Sequence, residues 1–144
     1  EQVQKLRDLT GAGVMDCRNA LEDASGDFDR ALAIIKEKGL IKAQKRAGRT
    51  TGAGVIENYL HNNRVGVMLE LRSETDFVAH SDIFRGLDHK LVMQIAAMDT
   101  QTREELLNQP YIQDESQSVG DLVKSVSANV GENIEVARFA RFEL

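Results

Sequence analysis

Thr75-Asp76-Phe77-Val78 sets a turn-forming polar pair against an aromatic and a β-branched residue, directly after an alternating segment. A carboxylate at such a connection accepts backbone N–H bonds and stiffens the loop. Phenylalanine on a stiff loop is either an anchor for a partner's pocket or a plug under the neighbouring sheet. Residue type alone favours the plug, because phenylalanine is usually buried. Val14-Met15, just after Gly13, poses the same choice. Two adjacent apolar residues cannot both face one helical stripe, so one is an exposed contact or is half-buried by a small bundle. Lys36, Lys38, Lys42, Lys45, Arg46 and Arg49 are candidates of another kind, for RNA or another anionic surface. No aromatic interleaves them to stack on bases. The simpler reading is a solvated helix end, where cations complement the terminal carbonyls.

Covalent chemistry finds little to work with. His61, His80 and His89 are spread along the chain, and only Asp76 lies near one of them in sequence. A metal site needs several convergent ligands, so none is expected. Cys17 falls on an apolar stripe and reads as packing, since a free cysteine behaves as a small hydrophobe. Gly11-Ala12-Gly13 and Gly52-Ala53-Gly54 are too short for a dinucleotide fingerprint, and no phosphate loop ends in Lys-Ser/Thr. No two carboxylates stand out as an acid/base couple. The expectation is a protein that is not an enzyme, with no catalytic residue and no cofactor.

Hydrophobic residues make up 42% and charged residues 28% of the 144, the balance of one globular domain or two small ones. The net charge of −5 repels a phosphate backbone on average, so direct nucleic-acid binding is not expected. No apolar run approaches the ~18 residues of a membrane span, and no basic-then-apolar leader opens at Glu1. The single cysteine allows no intrachain disulfide, which suits a reducing compartment.

The elements that must position these residues show in the periodicity. Val3, Leu6 and Leu9 recur at helical spacing, then Val14, Cys17, Leu21 and Ala24, then Phe28, Ala31, Leu32 and Ile35. Gly11 and Gly13 break the first pair, Asp27 is placed to cap the third helix, and Gly39 to end it. Thr50 to Gly54 reads as a linker. Val55 to His61 and Val65 to Arg72 read as a hairpin about Asn62-Asn63. A helix is expected from Ser81 to Met98, another from Asp121 to Val130 ended by Gly131, and a last strand from Ile134 to Leu144. On that strand Ile134, Val136, Ala140, Phe142 and Leu144 would share a face, with Arg138 out of place. Asp99 to Ser118 is weakly patterned.

Three ordered stretches carry a family resemblance. Leu6-Arg7, Thr10 to Cys17 and Ala20-Leu21 resemble the N-terminal module of translation elongation factor Ts. Glu74 to Ala79 is similar to that family's core motif. Gly131-Glu132-Asn133-Ile134 and Arg138 to Glu143 resemble its C-terminal strand. The resemblance implies an α+β fold: a three-helix, ubiquitin-associated-like module over residues 1–46, a linker over 47–54, and a core over 55–144 with a small antiparallel sheet packed with helices. It implies a guanine-nucleotide exchange factor that binds elongation factor Tu·GDP and promotes GDP release during translation elongation. Thr75, Asp76, Phe77 and Val78 would approach the partner's GTPase domain and dislodge its Mg²⁺. Arg7, Val14 and Met15 would touch it from the N-terminal module, and Val130 and Gly131 beside the Phe77 loop. This reverses the expectation from residue type, and Phe77 should stand exposed, or only half-packed, in the free protein. The implied setting is a bacterial cytoplasm, or an organelle matrix or stroma after removal of a transit peptide. The alternative is a ribosome- or RNA-associated module using Lys36 to Arg49.

Departures from the family pattern bear on partners. The insert usual before Gln109-Pro110 is missing, and there is one Thr-Asp-Phe unit. Short members of the family can pair through the core. Ala140 stands where a dimer-linking cysteine can occur, so a homodimer here would be non-covalent.

Overall fold

A computed structural model describes residues 1–144. The order is α1 (Gln2–Thr10), α2 (Val14–Asp23), α3 (Phe28–Arg46), β1 (Ala53–His61), β2 (Val65–Ser73), α4 (Asp76–Ala79), α5 (Asp82–Met98), α6 (Arg103–Asn108), β3 (Pro110–Tyr111), β4 (Asp114–Ser118), α7 (Val119–Val130) and β5 (Glu135–Glu143). This is an α+β chain, with an antiparallel sheet ordered β1-β2-β5 and a short β3-β4 hairpin.

The first three helices close over Leu6, Cys17, Ala20, Ala24, Ala31 and Ile35. Gly11 ends α1 in the left-handed region and returns its N–H to Arg7 O, a conformation that favours glycine. Asp27 caps α3 by accepting the Arg30 N–H. Gly39 does not end that helix, contrary to the sequence expectation, and α3 continues to Arg46. The glycine serves packing instead: a Cβ there would lie 3.1 Å from the Ala128 Cβ of α7. The helices cross where one residue has no side chain, and the basic segment rides on the last turns of α3.

The central strand β2 turns Val67, Leu69 and Leu71 inward against Phe84, Leu87, Leu91 and Ile95 of α5. The shared face expected for β5 is corrected by a bulge. Leu71 pairs with Val136 and Glu70 with Arg138, which leaves Ala137 as an extra residue. An inserted residue reverses the inward–outward phase. Val136 is therefore buried, whereas Arg138, Ala140 and Phe142 face outward. Arg138 is in place after all, bonded to the Glu70 carboxylate at 2.8 Å.

The weakly patterned stretch is held by a buried amide. Gln94 donates to Gln109 Oε1 and Pro110 O and accepts the Ile112 N–H, which pins α6 and the β3-β4 hairpin to α5. Across Asp99 to Arg103 the chain runs directly from α5 to α6. Asp99 adopts a left-handed turn and its carboxylate receives Arg141 at 3.0 Å.

Asp88 of α5 is fully buried, and neither carboxylate oxygen has a hydrogen-bond partner. Burial, reinforced by Glu57, raises its pKa to about 7, although Arg85 opposes the shift. The folded chain thus binds a proton that the unfolded chain has released by pH 5. Stability linked to this group is complete below pH ~4 and is lost as pH rises through 7. Asp88→Asn removes that loss. Urea unfolding is expected to show the variant gaining on the parent between pH 5 and 8, by about 2 kcal/mol after allowance for screening.

Candidate functional site

The Thr75–Val78 segment sits where β2 hands over to α5, and α4 is a single turn within it. Thr75 caps that turn, its Oγ1 accepting the Val78 N–H at 3.3 Å. The cap is itself held. Glu132 Oε1 accepts the N–H groups of Glu74 and Thr75 at 3.2 and 3.0 Å, and its Oε2 accepts the Thr75 hydroxyl at 2.8 Å. Such charge-assisted bonds are about twice as strong as neutral ones. On the far side of the turn, His80 Nδ1–H donates to Asp76 O at 2.8 Å.

Glu132 arrives there because α7 ends sharply. Gly131 takes a left-handed conformation and bonds back to Ser127 O, while the Ser127 hydroxyl donates to Glu132 O. The next residue extends the network. Asn133 N–H donates to the Glu74 carboxylate at 2.6 Å, and its side-chain amide donates to Ala47 O and Arg49 O. Arg49 adds a 3.7 Å ion pair to Glu74. The α3–β1 connection, the Thr75 turn and the end of α7 are therefore one hydrogen-bonded unit.

Within this frame the four loop residues divide. Val78 is buried in the main core and roots the turn. Its side chain is thus an anchor in the free chain rather than an available surface contact. Thr75 is occupied by capping. Asp76 is exposed in the first turn of α4. Phe77 is 87% exposed, so it does not plug the sheet. An aromatic ring left in water on a braced turn presents apolar area without a large further loss of entropy on docking.

Val14 and Met15 are exposed by 49% and 60%, at the start of α2. Both are outward, where helical geometry required only one. Arg7 is exposed one turn before Gly11 and reaches Ala12 O at 3.4 Å. Val130 packs partly on the main core and Gly131 is exposed. The structure brings Val130–Gly131 to the Phe77 turn through Glu132. It ties the α1–α2 turn to the same helix, because a Cβ on Gly11 would lie 2.0 Å from Asn129 Oδ1. Glu132 is the residue the sequence reading missed. It stood inside a recognised signature, but nothing in its spacing shows that it faces Thr75 across the chain.

Cys17 is fully buried against Leu6 and Ala20, and burial raises its pKa. No three His, Cys, Asp or Glu side chains converge as metal ligands would. No helix is long and apolar enough to cross a membrane.

Two substitutions separate display from support. Phe77→Ala should leave the urea unfolding free energy within about 0.5 kcal/mol, because the ring packs on almost nothing. Glu132→Ala removes the acceptor for three donors and should cost about 1–3 kcal/mol. Amide exchange at Glu74 and Thr75 should quicken in that variant alone.

The family profile described as Elongation factor TS matches residues 74–144. The protein named Elongation factor Ts of Fervidobacterium nodosum is 38% identical over 190 aligned positions, covering 100% of this chain and 96% of the relative. That of Thermotoga maritima is 37% identical over 186 positions, covering 99% and 94%. That of Petrotoga mobilis is 37% identical over 190 positions, covering 100% and 96%. An alignment of 190 positions against 144 residues means that relatives carry residues this chain lacks.

Proposed function

The chain belongs to the elongation factor Ts family, and from that membership we propose that it is a guanine-nucleotide exchange factor acting on elongation factor Tu in translation elongation. The observation that carries this reading is the exposed Phe77 ring on a turn braced by Glu132. Phe77 enters the partner's GTPase domain as a wedge, and burial of its ring is available only when the partner is open. Asp76, beside it, brings negative charge towards the partner's Mg²⁺ and phosphate site. Mg²⁺ neutralises phosphate charge in GTPases, so its displacement weakens the hold on GDP. Arg7, Val14 and Met15 provide a second contact, and Val130 and Gly131 flank the wedge. On this reading residues 1–46 are a ubiquitin-associated-like docking module, 47–54 a linker whose last two residues, Ala53 and Gly54, already pair in β1, and 55–144 the core. The chain itself catalyses no bond change, needs no cofactor, and works in a bacterial cytoplasm or an organelle matrix.

The exchange step obeys linkage. A factor that binds the nucleotide-free partner better than the GDP-bound one must weaken GDP binding by the same factor. Release of a fluorescent GDP from elongation factor Tu should therefore accelerate in the presence of this protein. Phe77→Ala should slow the accelerated rate by about tenfold or more, the loss of one buried aromatic anchor. No acceleration by the parent protein would overturn the reading.

The same reading includes a non-covalent homodimer through the outer sheet face. Ile56, Leu60, Met68 and Phe142 are all exposed there, the last by 76%. Strand register places Leu60 and Phe142 on either side of Gly66, with Ala140 beside Met68. The same face also carries Asn58 and the Glu70–Arg138 ion pair, so its apolar part is the end around Leu60, Met68 and Phe142, and a second copy packed there would cover it. Each chain has a single Thr75–Val78 unit, so a second core contact must come from a second copy. Sedimentation equilibrium should show a dimer that Phe142→Lys weakens by about a hundredfold.

A further inference from the structure

A cavity of about 270 Å³ lies between the α1–α2 turn, α3 and α7. Its lining includes Lys36, Lys38, Lys42 and Arg46, against the single carboxylate of Asp16. This gathering of cations occurs in a chain whose net charge is −5. We infer that the cavity is a binding site for a small phosphate-bearing anion of the pyrophosphate class.

The local charges are only partly answered from within. Lys42 Nζ lies 3.5 Å from Asp16 Oδ2, with both side chains half exposed. Lys36 has Asp114 as a charged neighbour. Arg46 Nη1 is buried and has no hydrogen-bond partner, and Lys38 forms no ion pair. Like charges held in one concavity repel each other and focus a positive potential there, and a multivalent anion relieves both effects. The N-terminus of α2 adds to that field. Gly13, its N-cap, lines the cavity and offers no side-chain acceptor to the first-turn N–H groups.

Shape selects the kind of anion. The cavity is near the lower end of small-ligand sites, which span about 300–1,000 Å³. Ile35, Val126 and Ala128 supply apolar lining beside the α3–α7 crossing at Gly39. A nucleic-acid strand needs an open groove and stacking platforms, and no aromatic residue lines this cavity. Three lysines suit phosphate oxygens as point charges, and the arginine fork can take two of them. Anion binding here requires no nucleotide exchange, and exchange requires no anion here, so either can fail without the other.

The test is an NMR titration of the ¹⁵N-labelled full chain with pyrophosphate at low salt. Saturable shifts are expected at Gly13, Asp16, Gly39 and Lys42. Lys38→Gln with Arg46→Gln should weaken binding about tenfold. Asp16→Asn should tighten it severalfold by removing the competing carboxylate, a gain that damage to the fold would not give. ADP serves as the second arm. Added shifts at Val126 and Ala128 with tighter binding identify a nucleotide as the source of the phosphates, and equal affinity identifies an inorganic one. Non-saturating shifts spread over Arg18, Lys90 and Lys124, indifferent to the substitutions, overturn the site. Displacement of pyrophosphate by a uridine oligonucleotide that binds more tightly also overturns it, in favour of RNA.

Discussion

The Glu132 carboxylate accepts hydrogen bonds from three donors on Glu74 and Thr75, and the display of Phe77 depends on it. A four-residue helix does not persist in water by itself, because nucleation fixes more dihedrals than its few bonds repay. The α4 turn therefore needs external bracing at its N-terminus, where the cap and Glu132 act, and at its root, where Val78 and Ala79 enter the core. Asn133 extends the bracing to the carbonyls of Ala47 and Arg49. A change in the connection after α3 can thus reach the turn that carries the exposed ring.

A second constraint fixes the helices around that unit. The crossing of α3 and α7 at Gly39 and Ala128 leaves little room for a side chain, and Gly11 meets Asn129 on the same helix. Helix α7 touches the N-terminal helices along its side and presents Glu132 just past its end. Residues with no shared sequence neighbourhood, Val14–Met15 and Phe77, are consequently referred to one rigid rod. Of the two separate buried clusters, the one under the sheet includes Val119, Leu122 and Val123 of this rod, whereas the other is built within the first three helices alone.

The long periodic elements were legible in the sequence: the apolar stripes of α1, α2 and α5, and the alternation of β2. Legibility failed where one residue changes the phase or where the cause lies across the fold. Ala137 is an unremarkable alanine, yet as the extra residue of a bulge it turned Arg138 and Phe142 to the outer face. Gly39 resembled a helix stop because glycine usually plays that part, and only the neighbouring Ala128 shows that it is a contact residue. Elements as short as α6 and β3 lack the repeats that make a period visible, and buried Gln94, which holds them, has no local signature. The exposure of Phe77 ran against the prior for its residue type. It was anticipated only through resemblance, because residue type reports average burial and says nothing of one side chain's surroundings.

Exposed apolar residues weaken solubility and add nothing to the stability of the free chain, so their persistence beside well-filled cores needs a physical reason. Phe77 is isolated on its turn, whereas Leu60, Met68 and Phe142 share one end of the outer sheet face, with Ile56 beside the Glu70–Arg138 pair. These shapes suit different occupants. A single ring on a braced turn fits a pocket that opens to receive it, and can favour one state of a partner over another. A flat face fits another flat face, and favours association without discriminating between states. Nucleotide exchange requires the first property, because uniform affinity for both states of a partner would shift nothing. The rigidity that Glu132 confers matters for the same reason. A floppy turn spends binding energy on ordering itself, whereas a braced one leaves that energy for whatever the ring docks against.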